Sequence, residues 1–281
     1  MAAHSDLRPS PIAGTWYSGD PQRLGQQVDA YLNQAVLPPL SGRVVGLVAP
    51  HAGHRYSGRT AGHAFAAVRG QTFDQVVVLS PLHDFHPAPL LTTAHRAYGT
   101  PLGPVPVDIP AVEALDAALA AQNLRLTPVV NDREHSLEIE LPFLQRALSG
   151  DFRLIPIMVR SRATSVCRAL GLALAEMLRD HSALLVASTD LSHFYPLHTA
   201  DALDAEMLRR IAAFSPEDVL SAEETGAGFA CGAGPVAVML WAARALGANT
   251  VTILHHSTSA EETGDTHSVV GYGAAVALGQ G

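Results

Sequence analysis

The stretch Arg43-Val-Val-Gly-Leu-Val-Ala49, followed at once by Pro50 and His51, indicates the type of fold. It is short, apolar and rich in β-branched residues, which is typical of a strand buried on both faces of a parallel sheet. Further runs of the same kind follow along the chain: Gln75–Leu79, Phe152–Val159, Ala183–Ala187, Thr250–Leu254 and Ser268–Ala277. The sequence therefore predicts a sheet whose strands are largely covered.

Apolar residues at helical spacing lie between these strands. They recur every three or four positions in the segments Val112–Leu119, Val166–Met177, Leu203–Ile211 and Val236–Ala243. Alternating strands and helices predict an α/β fold, a three-layer α/β/α sandwich whose central sheet is mixed and largely parallel. The Pro- and Gly-rich stretch Tyr98–Pro110 is predicted to be a long loop. Because no linker or internal repeat interrupts the pattern, we expect residues 1–281 to form a single domain.

The composition excludes several classes of enzyme. All 18 basic residues are arginines, so the chain lacks the lysine that P-loop proteins, protein kinases and pyridoxal enzymes require. It has 14 histidines and two cysteines. This balance points to acid–base or metal chemistry and not to a disulfide framework.

The charge and hydropathy patterns indicate a soluble protein of a reducing compartment. The net charge is −8 and no run of basic residues occurs, so we expect neither nucleic acid nor an anionic membrane as a partner. No apolar run reaches the roughly 18 to 20 residues of a membrane span, and the first residues lack the pattern of a signal peptide. We therefore expect a cytoplasmic protein.

Histidines follow three of the predicted strands at the point where each strand ends. His51 comes after the first strand, His83 after the second, and Asp190 and His193 after the strand Ala183–Ala187. Ligands of open α/β sheets bind beyond the carboxyl ends of the strands. We therefore expect these side chains to share one site.

Cys231 lies in a glycine-rich segment, Gly226–Pro235, that leads into an apolar helix. A thiol at a helix N-terminus is expected to have a lowered pKa, because the unpaired N–H groups and the helix dipole favour the thiolate. A thiolate is both a nucleophile and a soft metal ligand, and the sequence leaves both roles open. The other cysteine, Cys167, falls in the middle of a predicted helix and is expected to be a buried, inert thiol.

A polar cluster, Asn131–Glu138, precedes the next apolar helical segment. In one interpretation, Asp132 or Ser136 simply caps that helix. In the other, a neighbouring carboxylate orients His135 into a site. The sequence favours neither.

Six segments, in the same order along the chain, resemble the Memo family, whose bacterial members are called AmmeMemoRadiSam system protein B. The resemblance covers essentially the whole chain. It rests on Gly14-Thr-Trp16-Tyr17, Ala49-Pro-His51-Ala-Gly53 with Tyr56-Ser-Gly58, Pro81-Leu-His83, Glu134-His135-Ser136-Leu-Glu138, Ser188-Thr-Asp190-Leu-Ser-His193 and Cys231-Gly-Ala-Gly-Pro235. Each segment is weak evidence alone, whereas six in sequence order are highly specific.

The resemblance implies a fold similar to that of class III extradiol ring-cleavage dioxygenases, which hold non-haem Fe(II) with two histidines and a carboxylate. In Memo-like proteins the corresponding ligands look like two histidines and a cysteine, which implies His51, His83 and Cys231 here. A thiolate in place of the carboxylate makes the site softer and does not imply ring cleavage. The resemblance favours Fe(II) as the cofactor, with copper second and zinc third.

The same resemblance implies roles for other residues of the pocket. His193, oriented by Asp190, is expected to act as a general acid–base, and His135 as a second catalytic histidine. The residues expected at the pocket rim are Trp16, His54, Tyr56, His86 and His255. The family name also implies a functional link to radical SAM and AMMECR1-like proteins, and the chain looks bacterial.

Three functions remain open on the sequence alone. The first is an iron- or copper-dependent redox enzyme, similar to an oxygenase, that acts on a small substrate. The second is a metal-free hydrolase or amidase with Cys231 as nucleophile, His193 as base and Asp190 as the group that orients it. The third is a non-catalytic module that binds a peptide or small molecule in the same pocket.

Overall fold

The computed structural model describes residues 6–280 and confirms the predicted alternation of strands and helices. The strands are β1 (Leu7–Arg8), β2 (Arg43–Ala49), β3 (Gln75–Ser80), β4 (Leu90–Thr93), β5 (Ala97–Thr100), β6 (Gly103–Pro106), β7 (Thr127–Val129), β8 (Arg153–Val159), β9 (Ala183–Ser188), β10 (Asp190–Tyr195), β11 (Ala248–Thr258) and β12 (Val269–Gly279). The helices are α1 (Pro21–Gln34), α2 (His54–Ala66), α3 (Ile109–Ala120), α4 (Leu141–Ala147), α5 (Thr164–Leu178), α6 (Leu197–Ala212), α7 (Pro216–Glu224), α8 (Ala233–Ala245) and α9 (Ala260–Thr263). A 3₁₀ turn spans Glu138–Glu140.

A mixed sheet forms the centre of the molecule. At its middle, β2, β9, β3 and β8 lie side by side in this order and run parallel. On one side, β4 pairs antiparallel with β8, and β7 pairs parallel with β4. On the other side, β12 pairs antiparallel with β2, β10 and β11. The carboxyl ends of β2, β9 and β3 therefore meet at one edge of the sheet.

Apolar side chains cover both faces of this sheet. Along β3, Val77 and Leu79 face a core formed with α3, α5, α6, α7 and α8, whereas Val76 and Val78 face a second core formed with α1, α2 and α4. All four side chains are fully buried, as expected for a strand covered on both sides. The three-layer α/β/α prediction is confirmed.

The stretch Tyr98–Pro110 is not the long loop that its composition suggests. Its first half contains a hairpin in which β5 pairs antiparallel with β6, and β1 adds to β5 as a third, parallel strand. Pro104 and Pro106 led the sequence analysis to predict a loop in place of β6, because proline is depleted in strands. Both residues lie in the edge strand of this small sheet, where proline is tolerated.

The helices are short compared with the thickness of a bilayer. The longest that is described, α6, has 16 residues. Within residues 6–280, no helix is long and apolar enough to cross a membrane.

Candidate metal centre

His51, His83 and Cys231 come together beyond the ends of β2 and β3. One ligand atom from each residue, an imidazole nitrogen or the thiol sulfur, lies within 4.8 Å of the other two. The Sγ of Cys231 is 3.1 Å from Nε2 of His51, and the imidazole centroids of His51 and His83 are 5.3 Å apart. His51 is buried and His83 is exposed, so the group is open to solvent on the His83 side.

His51 is held on both its backbone and its ring. Its backbone N–H donates to Oδ1 of Asp190 at 2.7 Å, and its ring Nδ1 lies 2.9 Å from the hydroxyl of Ser188. Burial lowers the pKa of His51, and the neighbouring imidazoles of His135 and His83 lower it further. The ring is therefore neutral at physiological pH, the form that binds a metal ion.

His83 is oriented by Glu134. Nδ1 of His83 lies 3.0 and 3.1 Å from the two carboxylate oxygens, and the backbone N–H of the same residue donates to Oε2 at 2.6 Å. The carboxylate also accepts from the backbone N–H groups of His135 and Ser136. Burial alone would lower the pKa of His83, but the hydrogen bond and charge of Glu134 raise it. With Nδ1 engaged, Nε2 is the nitrogen of His83 that is left for a metal ion.

The sequence did not decide the role of the polar cluster Asn131–Glu138. In the structure, this cluster orients histidines and does not cap a helix. Asp132 pairs with Arg8, and the hydroxyl of Ser136 donates to the carbonyl of Pro81 at 2.9 Å. The next helix begins only at Leu141 and has no side-chain cap. Glu134 was not predicted as a site residue, although its position directly before His135 was the available signal.

A buried arginine from the N-terminal strand fixes the loop that carries Glu134. Arg8 is 1% exposed, and its Nε and Nη2 donate to the two carboxylate oxygens of Asp132 at 3.0 and 2.7 Å. Nη1 donates to Glu138 at 2.6 Å, and Nη2 also donates to the carbonyl of Glu134 at 2.7 Å. The guanidinium lies over the ring of Tyr98, 4.8 Å from its centroid. Nothing in the sequence around Arg8 indicated this role, since its partners are more than 120 positions away.

His135 and Trp16 lie next to the three predicted ligands. The His135 ring stacks on that of His83 with centroids 4.8 Å apart, and the Trp16 ring covers it at 4.1 Å. Burial lowers the pKa of His135 to about 4, against the opposing charge of Glu134. Trp16 is 37% exposed, and its place at the pocket rim stays a prediction.

Cys231 is tied to the junction between β9 and β10. Its Sγ accepts from the backbone N–H of Asp190 at 3.3 Å, and the N–H of the next residue, Gly232, donates to the hydroxyl of Thr189 at 2.9 Å. The prediction of a lowered thiol pKa is wrong. Burial raises the pKa of Cys231 to about 12, and the nearby charge of Asp190 acts in the same direction. The start of α8 does not offset this desolvation, so without a metal ion the thiol is protonated.

We predict that Gly232→Ala displaces Cys231 without touching a predicted ligand. A Cβ at Gly232 would lie 2.3 Å from the carbonyl oxygen of Ser188 and 2.7 Å from Cβ of Thr189. Overpacking of this kind lowers the free energy of unfolding by about 1–3 kcal/mol, and metal affinity should fall with it. The control is Gly25→Ala in α1, where the nearest atom is 3.9 Å away and a stabilisation of about 0.4–1 kcal/mol is expected. Urea unfolding and metal titration measure both, and equal results for the two variants would contradict the prediction.

Asp190 does not orient His193, contrary to the prediction. The Asp190 carboxylate accepts from the backbone of His51, whereas Nδ1 of His193 lies 2.8 Å from the carbonyl oxygen of Leu191. Burial raises the pKa of Asp190 to about 7 and lowers that of His193. The basic partner of the Cys231 thiol is His51 and not His193. The arrangement predicted for a hydrolase, with His193 as the base of Cys231 and Asp190 orienting His193, is therefore not formed.

His54 belongs to the core and not to the pocket rim, which corrects its predicted place. It is 3% exposed, and its ring packs 5.3 Å from that of Tyr17 and 4.9 Å from that of Phe143. It is the first residue of α2 and one of the buried residues of that helix. Burial lowers its pKa to about 4.

The other predicted rim residues make contacts of their own. His255 stacks on His63 with centroids 4.0 Å apart and lies 2.9 Å from the hydroxyl of Thr60, so these contacts are with α2 and not with the candidate metal centre. His86 accepts from the N–H of Ala88 within its own loop.

Tyr56 lies in the first turn of α2 and is 42% exposed. Its ring is near the Gly53 position, at 3.8 Å from where a Cβ would stand, and 5.8 Å from the guanidinium of Arg55. It therefore lies on the surface near the chain segment that carries His51, without a described contact to the metal centre.

Comparison with known proteins shows the family to which the chain is related. A family model described as "Memo-like protein" matches residues 8–276. The chain belongs to this family. A MEMO1 family protein of Methanopyrus kandleri is 32% identical over 279 residues, covering 96% of this chain and 98% of the relative. One of Nitrosopumilus maritimus is 30% identical over 272 residues, covering 95% and 98%.

A solved structure supports the fold of this Memo-like chain. An uncharacterized protein of Escherichia coli K12 superposes with a TM-score of 0.52 at 16% identity, covering 83% of this chain and 100% of that protein. The sequence relatives named above are archaeal, so they give no support to the expected bacterial origin.

Proposed function

We propose that this Memo-like protein binds a transition metal ion through His51, His83 and Cys231 and uses it in redox chemistry on a small substrate. The observation that carries the proposal is the convergence of the three ligand atoms within 4.8 Å. Both imidazoles are held at Nδ1 by hydrogen-bonded neighbours, which is the arrangement typical of histidine ligands.

The donor set agrees with a soft or borderline cation. Two neutral imidazoles and one thiolate suit Fe(II), copper or zinc, and not Mg²⁺ or Ca²⁺. We propose Fe(II) first and copper second, because three protein ligands leave positions for a substrate. When bound, such an ion supplies one-electron chemistry and polarises a coordinated oxygen.

The surrounding residues bind, orient and exchange protons. Deprotonation of Cys231 accompanies metal binding, because the thiol is protonated in the metal-free protein. His135 and His193 have lowered pKa values and are therefore neutral proton acceptors near the site at pH 7. His83, the exposed ligand, marks the side from which a substrate enters.

The test is the metal content of untagged protein loaded with Fe(II) under nitrogen, and separately with Cu(I) or Zn(II), followed by dialysis. We expect the wild type to retain one ion per chain. Cys231→Ser should weaken binding at least about 100-fold, more than the change of a ligand's hydrogen-bond partner usually does. Cys167→Ser is the control, since this thiol is buried in α5 and donates to the carbonyl of Ser161. Equal and negligible metal in the wild type and Cys231→Ser would overturn the proposal.

Iodoacetamide separates this function from a metal-free cysteine hydrolase. A hydrolase needs a thiolate at neutral pH and would be alkylated rapidly with or without a chelator. We expect slow alkylation of Cys231 in both cases, because the thiol is protonated without metal and coordinated with it. Fast, chelator-independent alkylation would favour the hydrolase. Metal retention without any reduction by ascorbate or oxidation by O₂ would favour the non-catalytic binding module.

A further inference from the structure

Glu140 and Ser188 form a buried hydrogen bond on the side of His51 that faces away from Cys231. Both residues are 0% exposed, and Oε1 of Glu140 lies 2.7 Å from Oγ of Ser188. The other carboxyl oxygen, Oε2, is buried and has no hydrogen-bond partner among the described residues. Across residues 6–280, no ion pair involves Glu140 either. A carboxylate in this position would be a charge without a counter-ion, which is strongly unfavourable.

The Ser188 hydroxyl has three neighbours but only one hydrogen to donate. They are the carbonyl oxygen of Ser136 at 2.6 Å, Oε1 of Glu140 at 2.7 Å and Nδ1 of His51 at 2.9 Å. A hydroxyl donates one hydrogen bond and accepts two. Because the carbonyl oxygen of Ser136 can only accept, Ser188 donates to it. The other two neighbours must then donate, which requires a proton on Glu140 and a proton on Nδ1 of His51.

We propose that Glu140 is a neutral acid that acts as a positioning residue: it donates to Ser188, and Ser188 in turn accepts from Nδ1 of His51, so that Nε2 of His51 faces the metal centre with a free lone pair. This inference rests on the proposed metal-binding function and adds to it the residues that select the tautomer of one ligand. The role needs a donated hydrogen at Glu140 and not a negative charge.

The burial of the acid agrees with this assignment. Desolvation raises the pKa of Glu140 well above its ordinary value, against the opposing effect of the hydrogen bond with Ser188, and the nearby carboxylate of Asp190 raises it further. In Glu140→Gln, the side-chain amide has the same shape and can still donate a hydrogen to Ser188. In Glu140→Leu, this donor is removed. With leucine, no donor from this side holds the oxygen of Ser188 in place, so the hydroxyl can move away from Nδ1 of His51, and the imidazole then loses the acceptor that fixes its proton on Nδ1.

The experiment compares wild type, Glu140→Gln, Glu140→Leu and Ser188→Ala, with Ser80→Ala as a control. Ser80 is also a fully buried serine at the end of a central strand, but its hydroxyl donates to the carbonyl of Pro81. Nitrogen-15 NMR of metal-free protein reports the tautomer of His51, assigned by the loss of its signal in His51→Gln. We expect the Nδ1–H tautomer in wild type, Glu140→Gln and Ser80→Ala. A mixture of tautomers is expected in Glu140→Leu and Ser188→Ala.

Infrared spectroscopy and metal affinity provide two further readouts. A protonated carboxyl stretch of the metal-free wild type at pH 7 should disappear in Glu140→Gln. Cu(I) supplied from a competing chelator should bind Glu140→Leu about 10–100-fold more weakly than wild type, the usual effect of removing a partner of a metal ligand. Glu140→Gln should bind within about threefold of wild type, since it retains the partner.

Each outcome decides the assignment. If Glu140→Gln loses as much affinity as Glu140→Leu, the charge matters and the proposal is wrong. If Glu140→Leu keeps both the tautomer and the affinity, Glu140 does not position His51. Should Glu140→Leu fail to fold, Ser188→Ala carries the test, because it removes the acceptor without changing Glu140. If wild type binds no metal at all, the proposed function fails, whereas the NMR and infrared results still test Glu140.

Discussion

Replacing Arg8 with methionine is expected to lower the free energy of unfolding by about 3–5 kcal/mol, the usual cost of removing one partner from a buried ion pair. The side chains of Asp132 and Glu138 are 9% and 0% exposed, so without the guanidinium two carboxylates remain in a desolvated environment. Arg8→Lys should recover only part of this loss, because an ammonium group cannot bind both oxygens of Asp132 and reach Glu138 at once.

Urea unfolding measures the effect, and Arg55→Met is its matched control. Arg55 forms an ion pair with Glu262, but the two side chains are 71% and 39% exposed, and exposed pairs contribute about 0–1 kcal/mol. Since Arg8 also holds the carbonyl of Glu134, its loss should weaken metal binding in the fraction that remains folded. A loss of less than about 1 kcal/mol in Arg8→Met, similar to that in Arg55→Met, would show that the buried network does not stabilise this loop.

The fold could be predicted largely from the strands, because strands buried on both faces are the most regular signal in a sequence. The run Arg43–Ala49 coincides with β2, and Gln75–Leu79 is one residue shorter than β3. What the sequence did not predict depends on pairing between distant segments. The strand β6 carries two prolines and is a strand only because β5 provides a partner. Similarly, β10 begins at Asp190, directly after β9, because β12 lies antiparallel to it.

The convergence of the three proposed ligands was predictable from the sequence, whereas the surroundings of this candidate metal centre were not. His51 and His83 follow β2 and β3, two parallel strands with β9 between them, so topology alone brings them to the same edge. No such argument from topology applies to Cys231, which was predicted to be a ligand from the family resemblance. The partners that orient these residues are single side chains such as Ser188 and Glu134, whose roles depend on distances of a few ångströms that a sequence pattern does not encode.

The raised pKa of Cys231 shows why the rule for a thiol at a helix N-terminus gave the wrong prediction. The position of the thiol next to the start of α8 is a local feature, and it favours the thiolate. Burial by three separate parts of the chain is a tertiary feature, and it is the larger effect. The acids Asp190 and Glu140 are raised in pKa by the same burial. The centre is thus a desolvated region in which a bound cation would compensate for charges that are otherwise unfavourable.

Glu134 is the exception among these acids, and Glu134→Gln is expected to have the second large effect. Its carboxylate stays ionised because four N–H groups point at it: the backbone N–H and Nδ1 of His83, and the backbone N–H groups of His135 and Ser136. The hydrogen bond and charge of His83 hold the pKa of Glu134 well below its usual range, against the effect of burial. Glutamine has a single acceptor oxygen, so it cannot accept from the backbone N–H of His83 and from those of His135 and Ser136 at the same time.

The better orientation of the glutamine keeps its oxygen toward His135 and Ser136 and turns its amide toward the backbone N–H of His83. That contact is only 2.6 Å in the wild type, so two donors would meet there and His83 would move. We expect metal affinity to fall about 10–100-fold and the free energy of unfolding to fall by about 1–3 kcal/mol for the unsatisfied donor. Glu176→Gln is the control, because this glutamate of α5 forms an exposed ion pair with Arg179. Unchanged Cu(I) affinity in Glu134→Gln, with Glu176→Gln also unchanged, would mean that His83 does not depend on Glu134 for its orientation, and the ligand assignment of His83 would have to be abandoned with it.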